Sequence, residues 1–135
     1  MKIVRFAHQT TEPRYGVLDG ADVVVLADDP LVAGYDTTGE RIPVAQVRLL
    51  APIIPRSKII GVGRNYAAHA AEKGNAGPDH PLLFFKPNTA VIGPHDPIVI
   101  PAGVTEVEPE AELAIVIGRL AKSVPAERWA DYVFG

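Results

Sequence analysis

Glu106, Glu108, Glu110 and Glu112 stand at alternate positions, and an apolar run from Leu113 to Gly118 follows them directly. In an extended chain alternate side chains share a face, so these carboxylates point the same way. Like charges on one face repel. At the mouth of a dry core they need a counter-charge, which a hard divalent cation supplies directly. The competing reading is an acidic, solvated edge strand that discourages sheet-to-sheet aggregation. A second pair, His69 and Glu72, lies three residues apart and therefore on one helix face. A carboxylate hydrogen-bonded to an imidazole favours and orients its charged form, as general-base work requires, and Glu72 could equally take a proton through a bound water. An exposed pair at this spacing, contributing about 0.2–0.5 kcal/mol, is the plain alternative.

Two cations have similar double readings. Lys86 closes an apolar strand ahead of Pro87, where it could bind a substrate carboxylate, neutralise the acidic face or simply snorkel. Arg64, at the mouth of the His69 helix, could do the same. Gly61-Val62-Gly63 between a strand and a helix invites a dinucleotide-binding reading, but Tyr66 stands where the fingerprint needs a third glycine. The simpler account lets Gly61 and Gly63 turn the backbone sharply and bring it close to something in the cleft. His8, His80 and His95 have no ligand spacing.

Short strands must position these groups, because 12 Gly and 13 Pro punctuate the chain heavily. Residues 2–8, 14–18 and 22–26 are β-prone, with Asp19-Gly20 as the turn between the last two. Residues 28–40 read as loop, and 43–50 as either a strand or a short helix. Ala51-Pro52-Ile53-Ile54-Pro55 is a stiff linker, since each Pro biases its predecessor to extended geometry. A boundary there gives one domain over residues 1–52 and another over 53–135. In the second, 58–62 reads as a buried strand. Asn65 reads as the N-cap of a helix over 66–73, and Gly74 as its terminator. Residues 75–81 form a flexible loop, and Gly74–Pro81 could serve as a lid. Strands follow at 82–86, 97–100 and 105–118, then a helix from Ala126 to about Phe134 with Pro125 in its first turn. The fold class is α+β and β-rich.

Composition narrows the function classes. At 135 residues, with 47% hydrophobic and 21% charged content, the chain is a folded one and not a disordered one. A formal net charge of −3 and the lack of a basic stripe with interleaved aromatics argue against nucleic-acid binding. The chain has no cysteine, so disulfides, thiolate ligands and Cys nucleophiles are excluded, and a reducing cytoplasm suits it. No apolar run approaches the roughly 18–20 residues of a membrane span. Charge interrupts the first residues too early for a secretory signal.

The chemistry-bearing segments also fall into a known order. Residues 58–72 read Lys-Ile-Ile-Gly-Val-Gly-Arg-Asn-Tyr-Ala-Ala-His-Ala-Ala-Glu, and residues 83–87 read Leu-Phe-Phe-Lys-Pro. Residues 91–94 read Val-Ile-Gly-Pro, and residues 110–118 read Glu-Ala-Glu-Leu-Ala-Ile-Val-Ile-Gly. Over 58–135 this series resembles the fumarylacetoacetate hydrolase family of the bacterial isomerase/hydrolase type. The residues before the linker resemble the small β-rich domain that precedes the catalytic domain in many members. The resemblance implies a mixed β-sandwich or roll that binds Mg²⁺ or Mn²⁺, sometimes Ca²⁺, through carboxylates. Glu110 and Glu112 match the first metal ligands by position, and His69 and Glu72 match the dyad that activates water or moves a proton.

Members act on 2-oxo and β-diketo acids by hydrolytic C–C cleavage, decarboxylation or isomerisation. The small first domain leans toward compounds such as 2-hydroxyhepta-2,4-dienedioate in aromatic catabolism. Members are commonly homodimers. Pro109 departs from the pattern, which more often has an aromatic or His there, and the family's third acidic ligand lies on a strand beyond residue 135. The expectation is therefore a front half, completed by a C-terminal segment or second chain and inactive by itself. A non-catalytic homologue or binding module is the alternative of a different class, and a sugar- or nucleotide-binding protein is a weaker one.

Overall fold

Alternating apolar residues early in the chain build an antiparallel sheet. The computed structural model describes residues 1–9, 12–72, 74 and 77–135, apart from the side chains of His69 and Ala70. Strands β1 (Ile3–Ala7), β2 (Arg14–Asp19), β3 (Asp22–Leu26), β4 (Thr37–Pro43) and β5 (Arg48–Leu49) lie in the order β4-β3-β2-β1-β5. Every pairing in this sheet is antiparallel. Val23 and Val25 project to one face of β3 and join Phe6 of β1 and Ile42 of β4 in the buried cluster. Gly16 makes room for it, since a Cβ there would sit 2.2 Å from Val23 Cγ1.

The expected β2–β3 turn is present but one residue later. Asp19 pairs with Asp22, so the turn residues are Gly20 and Ala21, with Gly20 at φ 61°. Residues 28–40 are not all loop. Asp29 caps a short helix α1 (Pro30–Ala33) by accepting from Leu31 N at 2.9 Å, and β4 begins at Thr37. The glycines that suggest a loop end α1 and lie within β4: Gly34 has φ 83° and Gly39 has φ 82°. On β4, Glu40 pairs with Arg14, and Arg41 reaches both Asp19 (2.7 Å) and Asp22 (3.3 Å). The open choice at 43–50 resolves both ways, as a 3₁₀ turn at Val44–Gln46 followed by β5.

Beyond residue 55, β6 (Ile59–Gly63) pairs with β7 (Leu82–Lys86) in a two-stranded antiparallel sheet, and α2 (Ala67–Glu72) falls between them in sequence. Directly opposed residues share a face. Ile59, Gly61 and Gly63 therefore lie with Lys86, Phe84 and Leu82, while Ile60 and Val62 lie with Phe85 and Leu83. The first strand is not buried as expected. Ile60 is 52% exposed and Phe85 71%, because no further layer covers that face among the described residues. Among the described residues, the buried hydrophobic side chains all precede Pro43.

Two further expected strands are absent. Residues 97–100, bracketed by Pro97 and Pro101, are irregular and exposed. The acidic segment 105–118 has a single bridge, Ile117 to Val133, and is otherwise irregular. A strand exists only where neighbours accept its hydrogen bonds. Pro109 removes a donor from mid-run, and the paired partner available is the short stretch around Val133. The last expected helix is a 3₁₀ helix, Ala126–Tyr132, with Pro125 at its N-cap and not in its first turn. Among the described residues no helix is long and apolar enough to cross a membrane.

Candidate active site

The chain leaves β6 at Gly63 and turns through Arg64, whose φ of 55° is left-handed. For a side-chain-bearing residue that conformation costs about 1–3 kcal/mol, and it concentrates at functional positions. The turn thus belongs to Arg64 and not to the glycines. Gly61 and Gly63 stay extended, and what approaches Gly61 closely is the ring of Phe84 across the strand pair. A Cβ on Gly61 would lie 2.3 Å from its Cζ. Lys86 Nζ lies 5.7 Å from the centroid of that same ring. The lysine is exposed and stands on the face that holds Gly61, Phe84 and Leu82, opposite Ile59 at the end of the strand pair away from Arg64.

Asn65 and Tyr66 lead into α2, which begins at Ala67, one residue later than a cap at Asn65 would place it. Gly74, at φ 68°, donates its N–H to Ala71 O at 3.0 Å and closes the helix as expected. Lys73, the expected last helical residue, and Asn75 and Ala76 of the expected lid lie outside the described residues. Glu72 is exposed on α2, and the three-residue spacing puts His69 on its face. The His69 side chain, and with it the contact between the two, is outside the described residues.

Glu110 and Glu112 are exposed on irregular chain, so strand alternation does not align them. Their link to the helix comes through a residue that spacing rules do not single out. Leu113, next to Glu112, donates its N–H to the Tyr66 hydroxyl at 3.1 Å. From sequence Tyr66 stands where a nucleotide loop would need a glycine and opens the expected helix, and neither feature gives it a role at the site. Its position at the start of the helix was the sole available hint. The donors suit a hard cation, being carboxylates in a chain without thiols. Among the described residues, however, no group of three His, Asp or Glu converges to hold a metal ion.

Comparison with known proteins gives the surroundings of this arrangement. Residues 58–135 match the family described as fumarylacetoacetate (FAA) hydrolase, C-terminal, and residues 1–52 match the family described as Rv2993c-like, N-terminal. Protein Rv2993c of Mycobacterium tuberculosis is 54% identical over 98 residues, covering 73% of this chain and 37% of that protein. A 2-hydroxyhepta-2,4-diene-1,7-dioate isomerase from Mycobacterium marinum superposes with a TM-score of 0.84 at 37% identity, over 100% of this chain and 51% of that one. A maleylpyruvate hydrolase from Sphingobium, solved with manganese (II) ion and pyruvate, superposes with a TM-score of 0.69 at 32% identity, over 100% of this chain and 56% of that one. The chain thus spans about half the length of these solved relatives. With the matched region running from the strand before Arg64 through both glutamates, the chain belongs to the fumarylacetoacetate hydrolase family.

Proposed function

We propose that these residues form part of a divalent-metal-dependent isomerase or hydrolase of 2-oxo or β-diketo acids, of the acylpyruvate or 2-hydroxyhepta-2,4-dienedioate type. One observation carries the reading: the whole chain superposes on an enzyme solved with manganese and pyruvate, a 2-oxo acid. Its own acidic segment and helix are linked by the Leu113–Tyr66 hydrogen bond. Glu110 and Glu112 offer oxygen donors of the kind Mg²⁺, Mn²⁺ or Ca²⁺ takes. When bound, such an ion supplies Lewis-acid stabilisation to negative charge developing on a 2-oxo group. His69 and Glu72 are the pair that accepts and returns a proton at the substrate carbon or at water, a role their residue types suit. Arg64 and Lys86 bind the substrate carboxylates, the first as a planar fork and the second as a mobile point charge.

The reading includes a further portion of the fold, supplied by more chain or by a second chain. It covers the apolar face of Ile60, Val62, Leu83 and Phe85 and adds the third carboxylate. Residues 1–135 alone are then inactive, since the available carboxylates leave a cation that takes six or more oxygens under-coordinated.

The test is turnover of an acylpyruvate and of oxaloacetate by the full-length protein with Mn²⁺, with and without chelator. Chelation should abolish turnover, His69→Ala should lower kcat/KM by about 100-fold or more, the scale of lost acid–base catalysis, and Glu112→Gln should lower it through weakened metal binding. Turnover indifferent to the chelator and to both substitutions would refute the metal-dependent reading, and absence of turnover with Mn²⁺ would favour a binding module.

A further inference from the structure

We infer that Tyr66 is a positioning residue, whose hydroxyl pins the Glu112–Leu113 peptide to the entrance of α2. The inference rests on the reading of Glu112 as a metal ligand given above. Among the described residues no backbone–backbone hydrogen bond reaches residues 105–115; the ladder near the end of the chain starts only at Val116. A segment with no backbone ladder gains from its backbone no reason to hold Glu112 near the helix. The Leu113 N–H to Tyr66 Oη bond, at 3.1 Å and across 47 residues of sequence, supplies that reason. It acts on backbone and not on the Glu112 side chain, so it restricts where the carboxylate starts from without competing for its oxygens.

The hydroxyl accepts in this bond, and its own proton remains free to donate. Tyr66 is 44% exposed, so removing one oxygen leaves no buried polar group without a partner and no cavity in a core. Phenylalanine at 66 therefore deletes the tether while leaving the ring in place.

The experiment compares wild type with Tyr66→Phe in the full-length protein, by amide hydrogen exchange at Leu113, Mn²⁺ binding by calorimetry and the urea unfolding midpoint. The expected result is a Leu113 amide protected in wild type and exposed in the variant. Mn²⁺ affinity falls about 3- to 10-fold, the factor one net hydrogen bond sustains, and the unfolding midpoint does not move. A role in folding alone would shift the midpoint and leave the affinity unchanged, and that result overturns the inference. So does Leu113 exchange that is the same in both proteins. If wild type binds no Mn²⁺, the metal reading of the site fails, while Leu113 exchange still decides whether Tyr66 holds the segment.

Discussion

Gly61→Ala provides a stringent test of how the helix-bearing strand is built. A Cβ at 61 would lie 2.3, 2.6 and 2.7 Å from Cζ, Cε2 and Cε1 of Phe84, all inside the 3.0 Å that real Cβ contacts keep. The ring must leave Gly61, or β6 and β7 must part. Overpacking of this kind costs about 1–3 kcal/mol. A displaced ring also loses Lys86, whose Nζ stands 5.7 Å from its centroid, a contribution of about 0.5–1 kcal/mol at an exposed site. Against this, alanine gains about 0.5–1 kcal/mol over glycine in an extended strand through chain entropy. The net is a loss of about 1–3 kcal/mol with Phe84 present.

In a Phe84→Ala background the clash and the cation–π contact both vanish, and only the entropic gain remains. Gly61→Ala should then be neutral or stabilising by about 0.5–1 kcal/mol. The double-mutant cycle therefore predicts a coupling of about 2 kcal/mol or more between positions 61 and 84. Urea unfolding of the four full-length proteins, followed by far-UV circular dichroism, measures it. A Gly61→Ala cost equal in both backgrounds within about 0.5 kcal/mol would refute the argument, because the glycine would then serve something other than the aromatic ring.

Arg64 separates conformation from chemistry, because its left-handed φ of 55° favours glycine. Arg64→Gly should be more stable than Arg64→Ala by about 1 kcal/mol by urea unfolding, while both weaken oxalate binding alike. Equal stability of the two would remove the strain argument. At Glu40, hydrogen bonding to Arg14 holds the carboxyl below its ordinary pKa. A depressed folded-state value means that the stabilisation is complete above the unfolded pKa near 4.5 and is lost as pH falls through the folded one. Arg14→Met should return the Glu40 titration, followed by NMR, to the ordinary range, and an unmoved midpoint would contradict the pairing.

What could be read from sequence was what local chemistry decides. β1, β2 and β3 follow from alternation and from glycine at the turn, and each of those signals fits within a few residues. The resemblance over 58–135 likewise placed the family before any coordinate. What failed depended on partners far along the chain. The alternation of Glu106 to Glu112 is a valid strand pattern, yet a pattern supplies no ladder. Among the described residues, the 105–118 segment finds backbone pairing only near Val133, at its apolar end. Gly61 was read as serving both a turn and a close approach, since glycine allows either, and only the close approach is found. Only the register that sets it opposite Phe84 distinguishes the two. Asp29 and Pro30 were a legible cap and first turn, but neighbouring glycines hid the helix they begin.

The two parts of the chain differ in how they satisfy their apolar residues, and that difference bears on the site. Before Pro43 the sheet closes on its own cluster of Phe6, Val23, Val25 and Ile42. After residue 55, β6 and β7 are fully paired with each other, but most of their large apolar side chains are exposed. Leu82, Leu83, Phe84 and Phe85 are each at least 43% exposed. A two-stranded ribbon is marginal in water unless a layer packs on it. Burial of each large apolar side chain is worth about 1.5–3 kcal/mol. A layer packed on the face of Ile60, Val62, Leu83 and Phe85 would thus supply most of the rigidity of β6, the strand that presents Arg64 and α2. Metal binding and the order of this ribbon should therefore rise together, since an acidic segment tied to α2 through Tyr66 can be no better fixed than the strand from which that helix departs.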